Sequence, residues 1–271
     1  MYPIYLSWPL ALLKYFRIDY QYLVIISPYI AHFPLLVLSD YFLWQVGKAT
    51  VGKPATRVAF ILILTNIFTV EYDIRCFTNT LEKICTVIAM HFYLRQKNEH
   101  TRNTAIFTCL LTISFMMRNT SPVGWIPLLF IKVIYEGSFR PFLYSLFDMA
   151  LPLVVGCVLL DSLYYMGSND KQFEFVITSI NFLKVNVLEG LSKYFGDHRY
   201  TEYVFHYLPV DIFKLLYLFM VLGVYKYIQD KRNKNQSPEL AYMCCFYILF
   251  FSLIGHKENR FLLPILPFLF L

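Results

Sequence analysis

Charge is what this sequence has least of. Of its 271 residues only 15% are Asp, Glu, Lys or Arg, against 58% hydrophobic and 19% aromatic. A soluble domain carries about a quarter charged residues, so the composition is that of a polytopic membrane protein, in which a domain is a helical bundle. Glycine is scarce, at 10 residues, and no internal repeat can be traced; a transporter built from repeated, Gly/Pro-broken halves would show both. Six cysteines (Cys76, Cys85, Cys109, Cys157, Cys244, Cys245) offer no CxxC pair and no zinc-finger spacing. Lying mostly inside apolar runs, they read as small hydrophobes. P-loop, GxGxxG and HExxH patterns are all missing, so no metal and no cofactor is expected. The formal charge of +6 is spread over short loops without a long basic tract, which points to cytoplasmic loops and not to nucleic acid. Residues 1–16 lack the basic start and small-residue cleavage site of a signal peptide. The chain stops inside an apolar run, and both ends are expected to be cut.

What is present is apolar length. About nine apolar segments are expected, at 22–44, 55–70, 77–94, 104–117, 123–134, 142–160, 210–227, 240–254 and 261–271. Asn79 and Glu82 load the first two turns of the third with polar groups that lipid-facing helices avoid, so they should face the bundle or a wet cavity. The pair 104–117 and 123–134 is short of the roughly 20 residues a bilayer requires; it reads as tilted partial spans or a re-entrant hairpin. Pro152 near the middle of 142–160 predicts a kink. Residues 173–191 suit an amphipathic helix on the membrane surface.

Loop charges fix a topology. With Lys231, Arg232 and Lys234 cytoplasmic, Lys48, Lys53, Arg95, Arg102 and Arg140 fall on the same side, in keeping with the positive-inside rule. The opposite face collects residues 71–75, 118–122, a large loop at about 161–209, and 256–260. Two Asn-x-Ser sequons bear on this: Asn235 is assigned to the cytoplasm, and Asn119 is expected to lie too close to the membrane to accept a glycan. A glycan on Asn235 would overturn the assignment.

The densest polar block is Gly255-His256-Lys257-Glu258-Asn259-Arg260-Phe261, set between two apolar runs. It reads either as a polar turn with snorkelling cations or as a site, since ionisable groups crowded between spans are expensive. Cations beside a carboxylate and an imidazole suit an anionic head on a lipid tail. Lys257, Arg260 and Arg118 are candidates to hold its phosphate. Helical spacing would put His256 and Arg260, or Lys257 and Arg260, on one face. Glu258 either orients the cations or acts as a base; beside two cations the ion-pair role is favoured.

These residues carry a resemblance. His256-Lys257-Glu258-Asn259-Arg260-Phe261 resembles the HKExRF signature of glycosyltransferase family 22, the glycosylphosphatidylinositol (GPI) and dolichol-linked mannosyltransferases. Arg75 with Asn79, Thr80 and Glu82 resembles its R-x3-N-[ST]-x-E pattern, and Asp161-Ser162-Leu163-Tyr164-Tyr165 its D-[SR]-x-[YF]-Y. Asn181-Phe182 with Asn186, and Tyr194-Phe195-Gly196-Asp197-His198, resemble the NF-x3-N and Y-G-x-H elements of the lumenal loop. The last element is similar to that of the members that add the third mannose of the GPI anchor.

The resemblance implies an all-α GT-C fold, present in part, as a single transmembrane domain over 1–271. It implies a multi-pass enzyme of the endoplasmic reticulum membrane with its site facing the lumen. The donor would be dolichyl phosphate mannose, the acceptor a GPI-precursor glycolipid, and the new bond alpha-1,2 with inversion. Membrane lipid is the remaining partner. His256 and Glu258 become candidate catalytic residues, with Asn79, Glu82, Asp161, Tyr165, Asn181 and His198 as supporting lumenal groups. Two departures stand out. The R-P-T-[SA] element reads Arg118-Asn119-Thr120-Ser121 with its proline displaced to Pro122. Family members also begin with a further span and an acidic lumenal loop that holds the proposed base, so the base is expected to lie outside this chain. The alternatives are a mannosyltransferase of the dolichol-linked oligosaccharide, or a truncated relative that binds lipid-linked sugar without turnover.

Overall fold

A computed structural model describes residues 2–18, 20–95, 100–135, 139–169, 175–185, 189, 194 and 196–271, and it is helical wherever those residues are regular. Asn186 and Phe195 of the family-like stretches lie outside the described residues.

The bundle is built around one polar helix. α1 (Tyr2–Phe16) packs on α2 (Gln21–Thr50), and α3 (Lys53–Thr65) and α4 (Ile67–Ile74) lead into α5 (Thr78–Leu94). α5 is flanked by α2 and by α6 (His100–Met117), and 14 of its 17 residues are buried, among them Asn79, Thr80, Glu82 and Lys83. This is the inward orientation that its polar load requires. Between helices in lipid, packing and polar contacts replace the hydrophobic effect. Thr108, Thr112, Ser114 and Ser145 are accordingly buried on α6 and its neighbours, and the Tyr93 hydroxyl donates to the Leu128 carbonyl at 3.2 Å.

Among the described residues, two helices are long and apolar enough to cross a bilayer, Gln21–Thr50 and Phe139–Tyr165. A third is the pair α3 and α4 if its 68° bend is one broken span. The expected segment 55–70 is therefore not straight. Asn66 breaks it: its side chain caps α4 by accepting from the Thr69 N–H at 2.9 Å, while its amide donates to the Ile212 carbonyl at 2.8 Å.

α6 and the run from a 3-10 turn at Ser121–Trp125 through α7 (Ile126–Phe130) form two short apolar arms joined by the turn at Arg118. Two short apolar arms were expected there, as tilted partial spans or a re-entrant hairpin. Downstream, α8 (Phe139–Ser145), a π turn (Leu146–Ala150) and α9 (Leu151–Asn169) are continuous. The π turn sits just ahead of Pro152, whose ring would otherwise meet the carbonyl four residues back. Of the amphipathic helix expected at 173–191, the described residues contain only the short α10 (Thr178–Leu183).

Two expected spans are corrected. Segment 210–227 is divided between a π helix at Tyr203–Ile212, a 3-10 turn at Lys214–Leu216 with Lys214 at φ 49, and α11 (Tyr217–Asn233), which ends in charged residues. Pro209 withholds a donor from that first helix. After α12 (Glu239–Leu253), segment 261–271 is also not a long helix. It folds as a 3-10 turn, Asn259–Leu262, and the five-residue α13 (Leu266–Phe270), with residues 262–270 buried in the core. Pro264 and Pro267 account for the interruption, since each lacks an N–H and restricts the residue before it.

Candidate functional site

The block at 255–261 leaves the helix before its charges begin. α12 ends at Leu253, Ile254 is extended, and helical turns resume only at Asn259. The helical spacing considered for His256, Lys257 and Arg260 is thus not adopted, and Lys257 parts from the other two.

Lys257 turns inward and is 1% exposed. Its ammonium donates to the Ile254 carbonyl and, at 3.4 Å, to the His198 carbonyl, and it lies 5.7 Å from the centre of the Tyr200 ring. No carboxylate lies within ion-pair distance of it among the described residues. Burial pushes the Lys257 ammonium below the usual lysine range, partly offset by the nearby Asp197 and Glu202 carboxylates.

His256 and Arg260 instead converge on Glu258. His256 Nε2 is 3.0 Å from Glu258 Oε1, Arg260 Nη2 donates to the same oxygen at 2.9 Å, and Arg260 Nε pairs with Oε2. Burial alone would raise the Glu258 carboxyl, but hydrogen bonds from Arg260 and His256 and their charge hold it below its ordinary value. Arg260 is the most open of the three predicted phosphate ligands, its side chain 37% exposed. Its guanidinium stacks 5.4 Å from the centre of the Phe77 ring.

The early helix carries this loop. Asn79 donates its amide to the Arg260 carbonyl at 3.1 Å, and the Tyr72 hydroxyl donates to Asn259 Oδ1 at 3.0 Å. One turn along α5, Glu82 accepts from Arg118 at 2.6 Å, and the Arg118 guanidinium lies 4.9 Å over Phe261. The Tyr247 hydroxyl holds the Phe261 carbonyl at 2.9 Å. Arg118 is therefore engaged with the 1%-exposed Glu82 and braces the loop from behind.

A second loop closes the junction. The His198 N–H donates to the Gly255 carbonyl at 3.0 Å, and the His198 and His256 rings are 6.3 Å apart. A Cβ at Gly255 would fall 2.8 Å from Asp197 Oδ1, so only glycine allows this approach without displacement. Residues 196–201 with Leu253, Gly255 and His256 line a cavity of about 790 Å³.

Of the residues expected from sequence, Asn79, Glu82, Arg118, His198, His256, Lys257, Glu258 and Arg260 meet in this one network. Asp161, Tyr165 and Asn181 do not touch it; they gather around α10, where Thr178 Oγ1 donates to Asp161 Oδ2 at 2.8 Å. The two groups are joined by the Arg118-Asn119 corner, because Asn119 donates to the Ser179 carbonyl at 3.1 Å. Sequence reasoning missed the aromatic residues Tyr72, Phe77, Tyr200 and Tyr247. Three of them had a signal nearby: Tyr72 lies three positions before Arg75, Phe77 between Arg75 and Asn79, and Tyr200 two positions after His198, whereas Tyr247 had none.

The class follows from comparison of the whole chain. The model of the Alg9-like mannosyltransferase family, glycosyltransferase family 22, matches residues 1–271, and the chain belongs to that family. Its relatives include the human GPI alpha-1,2-mannosyltransferase 3, 30% identical over 92% of this chain and 43% of the relative. The Bos taurus protein of the same name is 26% identical over 92% and 44%, and GPI mannosyltransferase 3 of Candida albicans 28% identical over 93% and 48%. The chain spans less than half the length of these relatives. No solved structure matches it.

Proposed function

We propose that this chain forms part of a mannosyltransferase of the GT-C type in the endoplasmic reticulum membrane. It would take mannose from dolichyl phosphate mannose and place it, alpha-1,2-linked, as the third mannose of a GPI precursor. The observation that carries this reading is the meeting of two loops nearly sixty residues apart, 196–201 and 255–261, over the polar face of α5 and beside one cavity. The similarity to GPI mannosyltransferase 3 of several organisms supports the choice of acceptor.

In the step proposed, an acceptor hydroxyl oxygen attacks the anomeric carbon opposite the phosphate and gives its proton to a base. The carbon–oxygen bond to phosphate breaks, and the electron pair leaves with dolichyl phosphate. Arg260, the most open of the three cations and paired with the half-buried Glu258, is the cation that meets the phosphate. Lys257 and Arg118 act through the shape of the loop. Glu258, held ionised by Arg260 and His256, orients them; a carboxylate so stabilised is a weak base.

The test is rescue in cells lacking GPI mannosyltransferase 3, using the full-length gene. Restored surface display of GPI-anchored proteins is expected. Correction of under-mannosylated N-glycan precursors without such restoration would overturn the acceptor, and failure of both would overturn the activity.

A further inference from the structure

A second cavity, of about 480 Å³, lies between the end of α9 and α10, lined by Tyr165, Val176, Thr178, Asn181, Phe182 and Val185. Its volume is within the range of small-molecule sites, roughly 300–1,000 Å³. Its chemistry differs from that of the loop junction. Among the described residues no Lys, Arg or His lines it. Tyr165 and Phe182 each leave about half of their surface open, at 47%.

The polar groups are those that a neutral polyol needs. Thr178 commits its one proton to Asp161 Oδ2 at 2.8 Å, which leaves the Thr178 oxygen as an acceptor. Asn181 adds an amide with both donors and an acceptor, exposed at the rim. Tyr165 adds a hydroxyl that can do both. Sugars present hydroxyls of both roles around an apolar carbon–hydrogen face, and such a face stacks on aromatic rings. Val176 and Val185 add apolar wall.

The cavity is also built. The Val176 N–H donates to Ser162 Oγ at 2.9 Å, and Ser162 Oγ donates to the Val158 carbonyl at 2.7 Å, which fixes residues 175–177 along α9. Asn119 ties α10 to the corner whose next residue, Arg118, braces the loop at Phe261. The cavity thus lies one contact away from the loop junction.

We infer that this cavity is a subsite for a neutral hexose of the acceptor glycan, separate from the place where the new bond forms. The inference rests on the glycosyl-transfer reading above and assigns Asp161, Tyr165, Thr178, Asn181 and Phe182 to acceptor recognition. It predicts that these residues govern how tightly the acceptor is held and not how the donor is held.

The test uses the full-length protein in detergent, with mannobiose as a binding probe and turnover of a two-mannose GPI precursor with dolichyl phosphate mannose. Asn181→Ala and Phe182→Leu should each weaken mannobiose binding and raise the acceptor KM by about tenfold, the worth of one good hydrogen bond or contact. The donor KM and kcat should stay put, and Phe182→Tyr should retain binding, which shows that the ring and not the fold is read. Unchanged binding and KM in both variants would overturn the subsite, as would a fall in kcat with the acceptor KM unmoved. If the protein transfers nothing to GPI precursors yet loses mannobiose binding in these variants, the subsite stands and the acceptor assignment falls.

Discussion

Lys257 donates its buried ammonium to the carbonyl of His198, fifty-nine positions earlier in the chain, at 3.4 Å. The contact joins the two loops of the site through a cation and a backbone dipole. It also makes Lys257 a strut: with 1% of its surface open, the residue holds the cavity in shape.

Replacement of Lys257 by methionine should therefore act on structure as well as on activity. The two carbonyls lose their donor, which costs about 1–3 kcal/mol for buried groups left unpaired. A lowered thermal transition of the detergent-purified full-length protein, together with lost rescue, is the expected result. Arg260→Ala should abolish rescue with a much smaller thermal shift, because Arg260 is a partly open side chain. Equal thermal shifts in the two variants would contradict this division of roles.

Glu82 and Arg118 form a pair that is nearly closed to solvent. Removal of one partner strands the other, at a cost of about 3–5 kcal/mol, whereas replacing both by apolar residues is often close to neutral. Arg118→Met should thus lower stability sharply, and Glu82→Leu with Arg118→Met should recover most of it. A double-mutant cycle on thermal stability reads the coupling.

The carboxyl of Glu258 is held below its ordinary value of 4.5. A depressed folded value means that the carboxylate's contribution is complete above about pH 5 and is lost as pH falls through the folded value. The stability difference between the protein and its Glu258→Gln variant should therefore be flat across neutral pH and shrink in acid. A difference that grows on acidification would reverse the sign and dismiss the ion pair with Arg260.

Gly255 faces Asp197 so closely that a methyl group would sit 2.8 Å from its carboxylate oxygen. Gly255→Ala should part the two loops and reduce rescue. The partner is the end of a short side chain, so trimming it in Gly255→Ala with Asp197→Ala should return much of the lost activity. A double variant no better than the single would place the cost elsewhere.

The inward face of α5 was legible from sequence because Asn79 and Glu82 have no tolerable place against lipid. Their partners, the Arg260 carbonyl and Arg118, come from residues 181 and 36 positions away. The pairing of 118–122 with 256–260 on one face followed from loop charges, and both now bear on Phe261. The direction of Lys257 was not legible. A cation in a motif reads as a ligand for an anion, and only the placement of the His198 carbonyl turns it into a strut. Segment 261–271 misled for a different reason: apolarity is the same whether a residue meets lipid or core, and the signal that separates them here was the spacing of Pro264 and Pro267. Tyr247 was hidden likewise, since its ring packs as any aromatic would while its hydroxyl holds the loop.

The amide that ties the two cavities together is also the acceptor atom of a glycosylation sequon. Asn119 Nδ2 donates inward to the Ser179 carbonyl, so closing this corner turns the sequon's amide toward α10. An endoglycosidase shift from Asn119 should therefore be missing from the folded protein.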